Sequence, residues 1–135
     1  MNTPYLKHLA FAFLLTGWTG ACQAQVPVQV QTPERIRVAD ARALMIAAID
    51  SPAGAAHGVL IGATADAITR RFKATSPVYI DVTTERRYRQ AGCSRLKVSF
   101  WQEDVLLPDA ALPRKQTLDM GINYCRDGLP PRSLS

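Results

Sequence analysis

Three runs in the second half of the chain alternate between apolar and polar residues, which is the pattern of half-buried β-strands. The apolar positions are Val78, Ile80 and Val82 in the first run, Leu96, Val98 and Phe100 in the second, and Leu118, Met120, Ile122 and Tyr124 in the third. The connections between the runs are short and contain Gly, Pro and Asp. An antiparallel meander is therefore predicted rather than parallel strands joined by crossovers.

Two helices are predicted before these strands. Apolar residues recur on one helical face over 39–50, and a second helix is predicted over 65–73 with Thr64 as its N-cap. The small, apolar stretch 53–62 fits either a short buried strand or the first turns of the second helix, and the pattern does not decide between them. The predicted fold is α+β, with two N-terminal helices packed on one face of a three-stranded antiparallel meander and one disulfide.

The cysteines test that topology independently. Cys93 precedes the second strand and Cys125 ends the third, so antiparallel pairing places them side by side on the face opposite the helices. An even pair of cysteines in an exported chain is most simply a disulfide. No metal site is predicted, because the chain has no CxxC motif and His57 is its only histidine after residue 24.

The N-terminus, residues 1–24, has the features of a secretory signal peptide. An uninterrupted apolar run at 9–15 follows a basic residue, and Cys22 and Ala24 are small residues at the minus-three and minus-one positions of a cut after Ala24. Cleavage would leave 25–135 as a single small periplasmic domain. We therefore expect an exported, periplasmic protein.

Membrane attachment of the mature chain is not expected. No segment has the roughly 18 to 20 consecutive apolar residues needed to span a bilayer, so no transmembrane segment is predicted. Cys22 is an alternative site of lipid anchoring, but Thr19 stands where an aliphatic residue is usual and disfavours it. Residues 26–30 alternate Val with Pro or Gln, which predicts an extended arm or edge strand that Ile36 and Val38 continue.

The sequence contains no recognisable catalytic constellation. His57 is the only available histidine base, and neither a nucleophile elbow nor a glycine-rich phosphate loop occurs. Glu103 and Asp104 are adjacent carboxylates, but we expect them in a solvated turn. No enzyme activity, catalytic residue or cofactor is predicted, and the role of His57 stays undefined.

A basic and aromatic surface is the strongest functional signal, in a chain whose formal net charge is +5. The candidate binding residues, which follow the first strand or share the polar face of the sheet, are Tyr79, Arg87, Arg89, Arg95, Lys97 and Trp101. Such surfaces bind protein partners, anionic groups or nucleic-acid strands, although nothing in the sequence specifically supports nucleic acid. The alternative is an ordinary solvated sheet face, with Trp101 covered by the arm at 26–30.

The segments QAGCSRL at 90–96, FWQ at 100–102 and GINYCRDGLPP at 121–131 resemble small exported proteins of conjugative-plasmid and type IV secretion loci. The resemblance covers about a third of the chain and implies an accessory part in envelope-spanning transfer of DNA or protein. We therefore expect a periplasmic accessory or binding protein that docks onto a larger secretion or conjugation assembly through the basic, aromatic face. The alternative is a periplasmic inhibitor of an envelope enzyme of the lysozyme or protease type.

Overall fold

The computed structural model describes residues 32–135. The predicted signal peptide at 1–24, the alternative anchor at Cys22 and the arm at 26–30 lie outside the described residues. The elements are β1 (Ile36–Val38), α1 (Arg42–Asp50), β2 (Ala55–Leu60), α2 (Ala63–Arg71), β3 (Tyr79–Arg87), β4 (Cys93–Val105) and β5 (Arg114–Cys125). Within this range, no helix is long and apolar enough to cross a membrane.

The sheet has five strands in the order β1-β2-β3-β4-β5. Strands β1 and β2 are parallel and are joined through α1, whereas the other neighbours are antiparallel. The predicted fold is therefore wrong, because the sheet is mixed and has five strands rather than three. Strand β2 also separates the two helices along the chain, so they do not form an N-terminal pair. The undecided stretch 53–62 contains this strand.

Helix α1 packs on one face of the sheet and forms the main core. Leu44 of α1 is fully buried, as are Ile80, Val82 and Leu96 of the strands below it. Gly58 of β2 allows the helix to approach, because a Cβ atom there would lie 2.5 Å from Leu44 Cδ1 and 2.9 Å from the carbonyl oxygen of Ile36. The small residues that obscured β2 in the sequence are thus what permits this packing.

Helix α2 covers the same face of the sheet, near the end of β4. Its buried Ala65 and partly buried Ile68 belong to the core that α1 forms. The helix begins after Gly62, whose φ of 88° suits glycine, rather than after Thr64 as predicted. Gln102 of β4 fastens it to the sheet, since its Nε2 donates hydrogen bonds to Thr69 Oγ1 at 3.1 Å and to the carbonyl oxygen of Ser76 at 2.8 Å.

The predicted disulfide is confirmed. Cys93 and Cys125 are direct cross-strand partners on β4 and β5, and their Cα atoms are 4.0 Å apart. Tyr88 is buried beside them and donates a hydrogen bond of 2.7 Å to Asn123 Oδ1. The bond therefore closes the end of the sheet opposite α2.

Candidate binding face

The sheet face that α1 does not cover is called here the open face. Strand alternation turns Asp81 onto it, because its neighbours Ile80 and Val82 point into the core. The register sets His57 of β2 and Ser99 of β4 on either side of Asp81. One carboxylate thus lies at the centre of the open face.

The Asp81 carboxylate contacts three polar side chains, one that precedes β1, one from β2 and one from β4. Its Oδ1 accepts a hydrogen bond of 2.8 Å from Arg35 Nη1 and lies 2.7 Å from His57 Nδ1. Its Oδ2 accepts a hydrogen bond of 2.6 Å from Trp101 Nε1. We call these four residues the Asp81 cluster; they are partly buried, with 26% of the Asp81 side chain and 17% of the Arg35 side chain exposed.

The cluster favours the ionised form of Asp81. Partial burial raises its pKa, but the hydrogen bonds from His57, Arg35 and Trp101, together with the charge of Arg35, outweigh burial and leave the pKa below its ordinary value. An ionised carboxylate can only accept, so the His57 Nδ1 facing it carries a hydrogen. In neutral His57 the Nε2 atom is then the acceptor.

An aromatic stack adjoins the cluster. The rings of Tyr79 and Trp101, which are cross-strand partners, stack with centroids 4.2 Å apart and planes at 28°. The Arg35 guanidinium carbon lies 4.8 Å from the Tyr79 centroid and 5.1 Å from that of Trp101, and Lys115 Nζ lies 3.9 Å from the Trp101 centroid. Cation–π contacts and the Asp81 hydrogen bond together hold the stack in one orientation.

Three further cations of the face pair with carboxylates. Arg37 and Arg86 also lie on this face by register and form no ion pair with the described residues 32–135. The three ion pairs are Arg95 with Glu85 at 3.6 Å, Lys97 with Asp119 at 3.0 Å, and Lys115 with Glu103 at 3.4 Å. Hydrogen bonds from Ser99 and Lys97 also lower the pKa of the exposed Asp119. The open face is therefore a mosaic of both charges around an aromatic centre.

The structure brings together four of the six predicted binding residues. Tyr79, Arg95, Lys97 and Trp101 all lie on the open face. Arg87 does not, because an irregularity between Thr84 and Arg86 shifts the β3 register by one residue.

Arg87 and Arg89 are placed elsewhere. The guanidinium of Arg87 turns to the helix side, where it donates to the carbonyl oxygens of Ile49 at 2.8 Å and Ser51 at 2.9 Å at the end of α1. Arg89 is exposed beyond β3, and its backbone N–H donates to the Ser135 carbonyl at 3.0 Å.

Sequence reasoning missed Arg35, His57, Asp81 and Lys115 as members of the site. Asp81 shares the parity of Tyr79 on the same strand, and this was a usable signal. Lys115 likewise shares the parity of Thr117 on β5. Arg35 and His57 depend on the pairing of β1 with β2 and of β2 with β3, which the sequence did not predict.

His57 and Asp81 lie on the open face and outside the three main cavities of the described residues. These three cavities have volumes of about 680, 540 and 310 Å³, and neither residue lines them. The pair thus lies on an open sheet surface, whereas small-molecule sites are concave. Residues 32–135 also contain no group of three or more His, Cys, Asp or Glu side chains that could hold a metal ion.

Comparisons with protein-family models, curated proteins and solved structures gave no match to this chain.

Proposed function

We propose that this protein is an exported accessory protein that docks onto a larger secretion or conjugation assembly of the cell envelope through the open face. The observation that carries the proposal is the Tyr79–Trp101 stack, which the Asp81 cluster holds on a sheet face that no helix of residues 32–135 covers. A protein partner in the envelope is the proposed ligand.

The stack has the properties of a protein-binding hot spot. Tyr, Trp and Arg are the side chains that most often dominate binding energy at protein interfaces. Trp101 is fixed by its hydrogen bond to Asp81 and by Tyr79 and Lys115 on either side, so little side-chain entropy is left to lose on binding. A preorganised aromatic centre therefore supports docking of a protein.

The charges favour protein over nucleic acid as the partner. Nucleic-acid binding depends on cations that neutralise successive phosphates. On the open face, Arg95, Lys97 and Lys115 are already paired with carboxylates. A partner that presents both charges, as a protein surface does, complements this mosaic better than a polyanion does.

Two features support the envelope as the location. The Cys93–Cys125 bond is of a kind that persists in oxidising compartments such as the periplasm. The predicted signal peptide supplies the route of export, and the resemblance of the C-terminal third to proteins of conjugation and type IV secretion loci indicates the class of assembly.

Cross-linking capture from the native host envelope tests the proposal. The bait is the full-length protein with its own signal sequence and a C-terminal tag, compared with Tyr79→Ala, Trp101→Ala and Arg95→Ala. Arg71→Ala is the matched control for Arg95, because Arg71 is an exposed cation on α2. Melting curves show whether each variant is folded.

Components of a secretion or conjugation assembly should be recovered with the wild type and with Arg71→Ala, and lost with the folded open-face variants. Recovery that is equal for all variants would refute the open face as the docking surface. A bait that binds no envelope protein at all would refute the accessory role.

A further inference from the structure

We propose that a second copy of this chain docks on the free edge of β5, so that two five-stranded sheets join into one ten-stranded sheet. The proposal concerns the sheet edge and does not depend on what binds the open face. Its occupant is identified by backbone geometry, exposed apolar side chains and charge.

Strand β5 is an unusually long edge strand of the described sheet. It comes last in the sheet, and within residues 32–135 only β4 pairs with it. It runs for 12 residues without proline, whereas β1 at the opposite edge has only 3. Proteins usually shorten, twist or cover such an edge, because its unpaired N–H and C=O groups recruit another strand.

The backbone N–H and C=O groups of the odd-numbered residues of β5 point away from β4, towards the outer edge of the sheet. A Cα separation of 4.0 Å at Cys93 and Cys125 marks a pair that does not exchange hydrogen bonds across the two strands. Consistently, the N–H of Cys125 donates away from β4, to the Leu129 carbonyl. The register continues without a shift back to Gln116, so Thr117 and Asp119 also present their N–H and C=O groups to the free edge.

Apolar side chains accompany this edge on the helix side. Leu118 is 60% exposed and Met120 is 45% exposed, although their partners on β4 are Phe100 and Val98. They border a mainly apolar cavity of about 540 Å³ between α2 and β5. Exposed apolar side chains beside an open edge are typical of a surface that is covered in an assembly.

The charges on β5 make the edge complementary to itself. In an antiparallel pair centred on Thr117, Lys115 lies opposite Asp119 of the second copy, and the two-fold axis produces this contact twice. Within one copy these two side chains form exposed ion pairs with Glu103 and Lys97, so the contact extends two existing pairs into a network. Leu118 then lies diagonally opposite Leu118 of the second copy on the helix side. A register centred on Asp119 would instead oppose two like charges.

The arrangement also places both open faces on one side of the joined sheet. An antiparallel pair of identical strands is related by a two-fold axis perpendicular to the sheet, so corresponding faces coincide. The dimer would present two Tyr79–Trp101 stacks to one side.

Sedimentation velocity on the purified, disulfide-bonded protein over a range of concentrations tests the proposal. Lys115→Glu and Asp119→Lys should each weaken dimerisation on the order of tenfold, because each creates two like-charged pairs. The double variant restores opposite charges and should recover dimerisation. Arg37→Glu, a charge reversal on β1 at the opposite edge of the sheet, is the matched control and should leave dimerisation unchanged.

Thr117→Pro provides a second route, because proline removes an N–H from the free edge without removing a hydrogen bond to β4. If it folds, this variant should be monomeric. A wild-type protein that is monomeric at all concentrations would overturn the proposal. So would a dimer that tolerates both single charge reversals, or one that the double variant fails to restore.

Discussion

Replacing Asp81 by Asn tests whether the cluster holds the open face together. The carboxylate accepts from Arg35 and Trp101 and faces the Nδ1 hydrogen of His57. An Asn side chain has one acceptor oxygen, and its NH₂ group would face one of these donors. We expect the amide to keep part of the cluster and to leave at least one donor unpaired.

The magnitude follows from the number of interactions and their exposure. A hydrogen bond to a charged group contributes about 1.5–3 kcal/mol. The Asp81 side chain is 26% exposed and that of Arg35 is 17% exposed, so solvent weakens the electrostatic part of these hydrogen bonds. We expect the free energy of unfolding to fall by about 2 kcal/mol. In a domain of this size, that corresponds to a decrease in melting temperature of about 10 °C.

Thermal and urea unfolding at several pH values provide the assay. Because the folded pKa of Asp81 is lowered, its ionisation stabilises the fold above the ordinary carboxyl pKa of 3.8. This contribution is lost as the pH falls through the lower, folded pKa. The difference in free energy of unfolding between wild type and Asp81→Asn should therefore be largest at pH 7 and should shrink below pH 3.8.

Asp119→Asn is the matched control, because Asp119 is an exposed carboxylate in an ion pair on the same face. We expect it to change the melting temperature little. If Asp81→Asn were no less stable than Asp119→Asn at pH 7, or if the stability difference grew towards acidic pH, the reasoning would be refuted.

Three further predictions concern the fold and export. Replacing both Cys93 and Cys125 by Ser should lower the free energy of unfolding by about 3.5–4 kcal/mol, because the bond closes a loop with a sequence separation of 32; urea unfolding that matches the oxidised wild type would contradict this. Gly58→Ala should cost about 1–3 kcal/mol, since the added methyl meets Leu44 and a backbone oxygen; unchanged stability would show that α1 shifts freely. Mass spectrometry of the exported protein should find Gln25 as the first residue, and an intact N-terminus would disprove cleavage after residue 24.

The sequence predicted the elements that carry their own periodicity. The alternation around Ile80, Val98 and Leu118 correctly indicated β3, β4 and β5, because each strand has one face towards the core or helices. The face of α1 was likewise visible in its apolar spacing. Strand β2 was not assigned, because its Ala and Gly residues have little intrinsic preference for a strand. Its conformation depends on contacts with β1, β3 and Leu44 that only the complete fold supplies.

The candidate site was predictable only where strand parity was sufficient. Tyr79 and Trp101 were placed on one face from alternation alone. Asp81 is 24 residues from His57 and 46 from Arg35, so their meeting depends on the register of strands that had not been assigned. Arg87 was predicted to follow the first strand, but it is the last residue of β3, and the irregularity between Thr84 and Arg86 turns it to the helix side.

Site-specific photocross-linking in the native host tests the central claim most directly. A photoreactive residue replaces Thr83, which is exposed on the open face two positions from Asp81, or, as the control, Asp66, which is exposed on α2. Cross-linking to one envelope protein from position 83, but not from position 66, is the result that docking through the open face predicts. Cross-links only from position 66, or equal cross-linking from both positions, would contradict it.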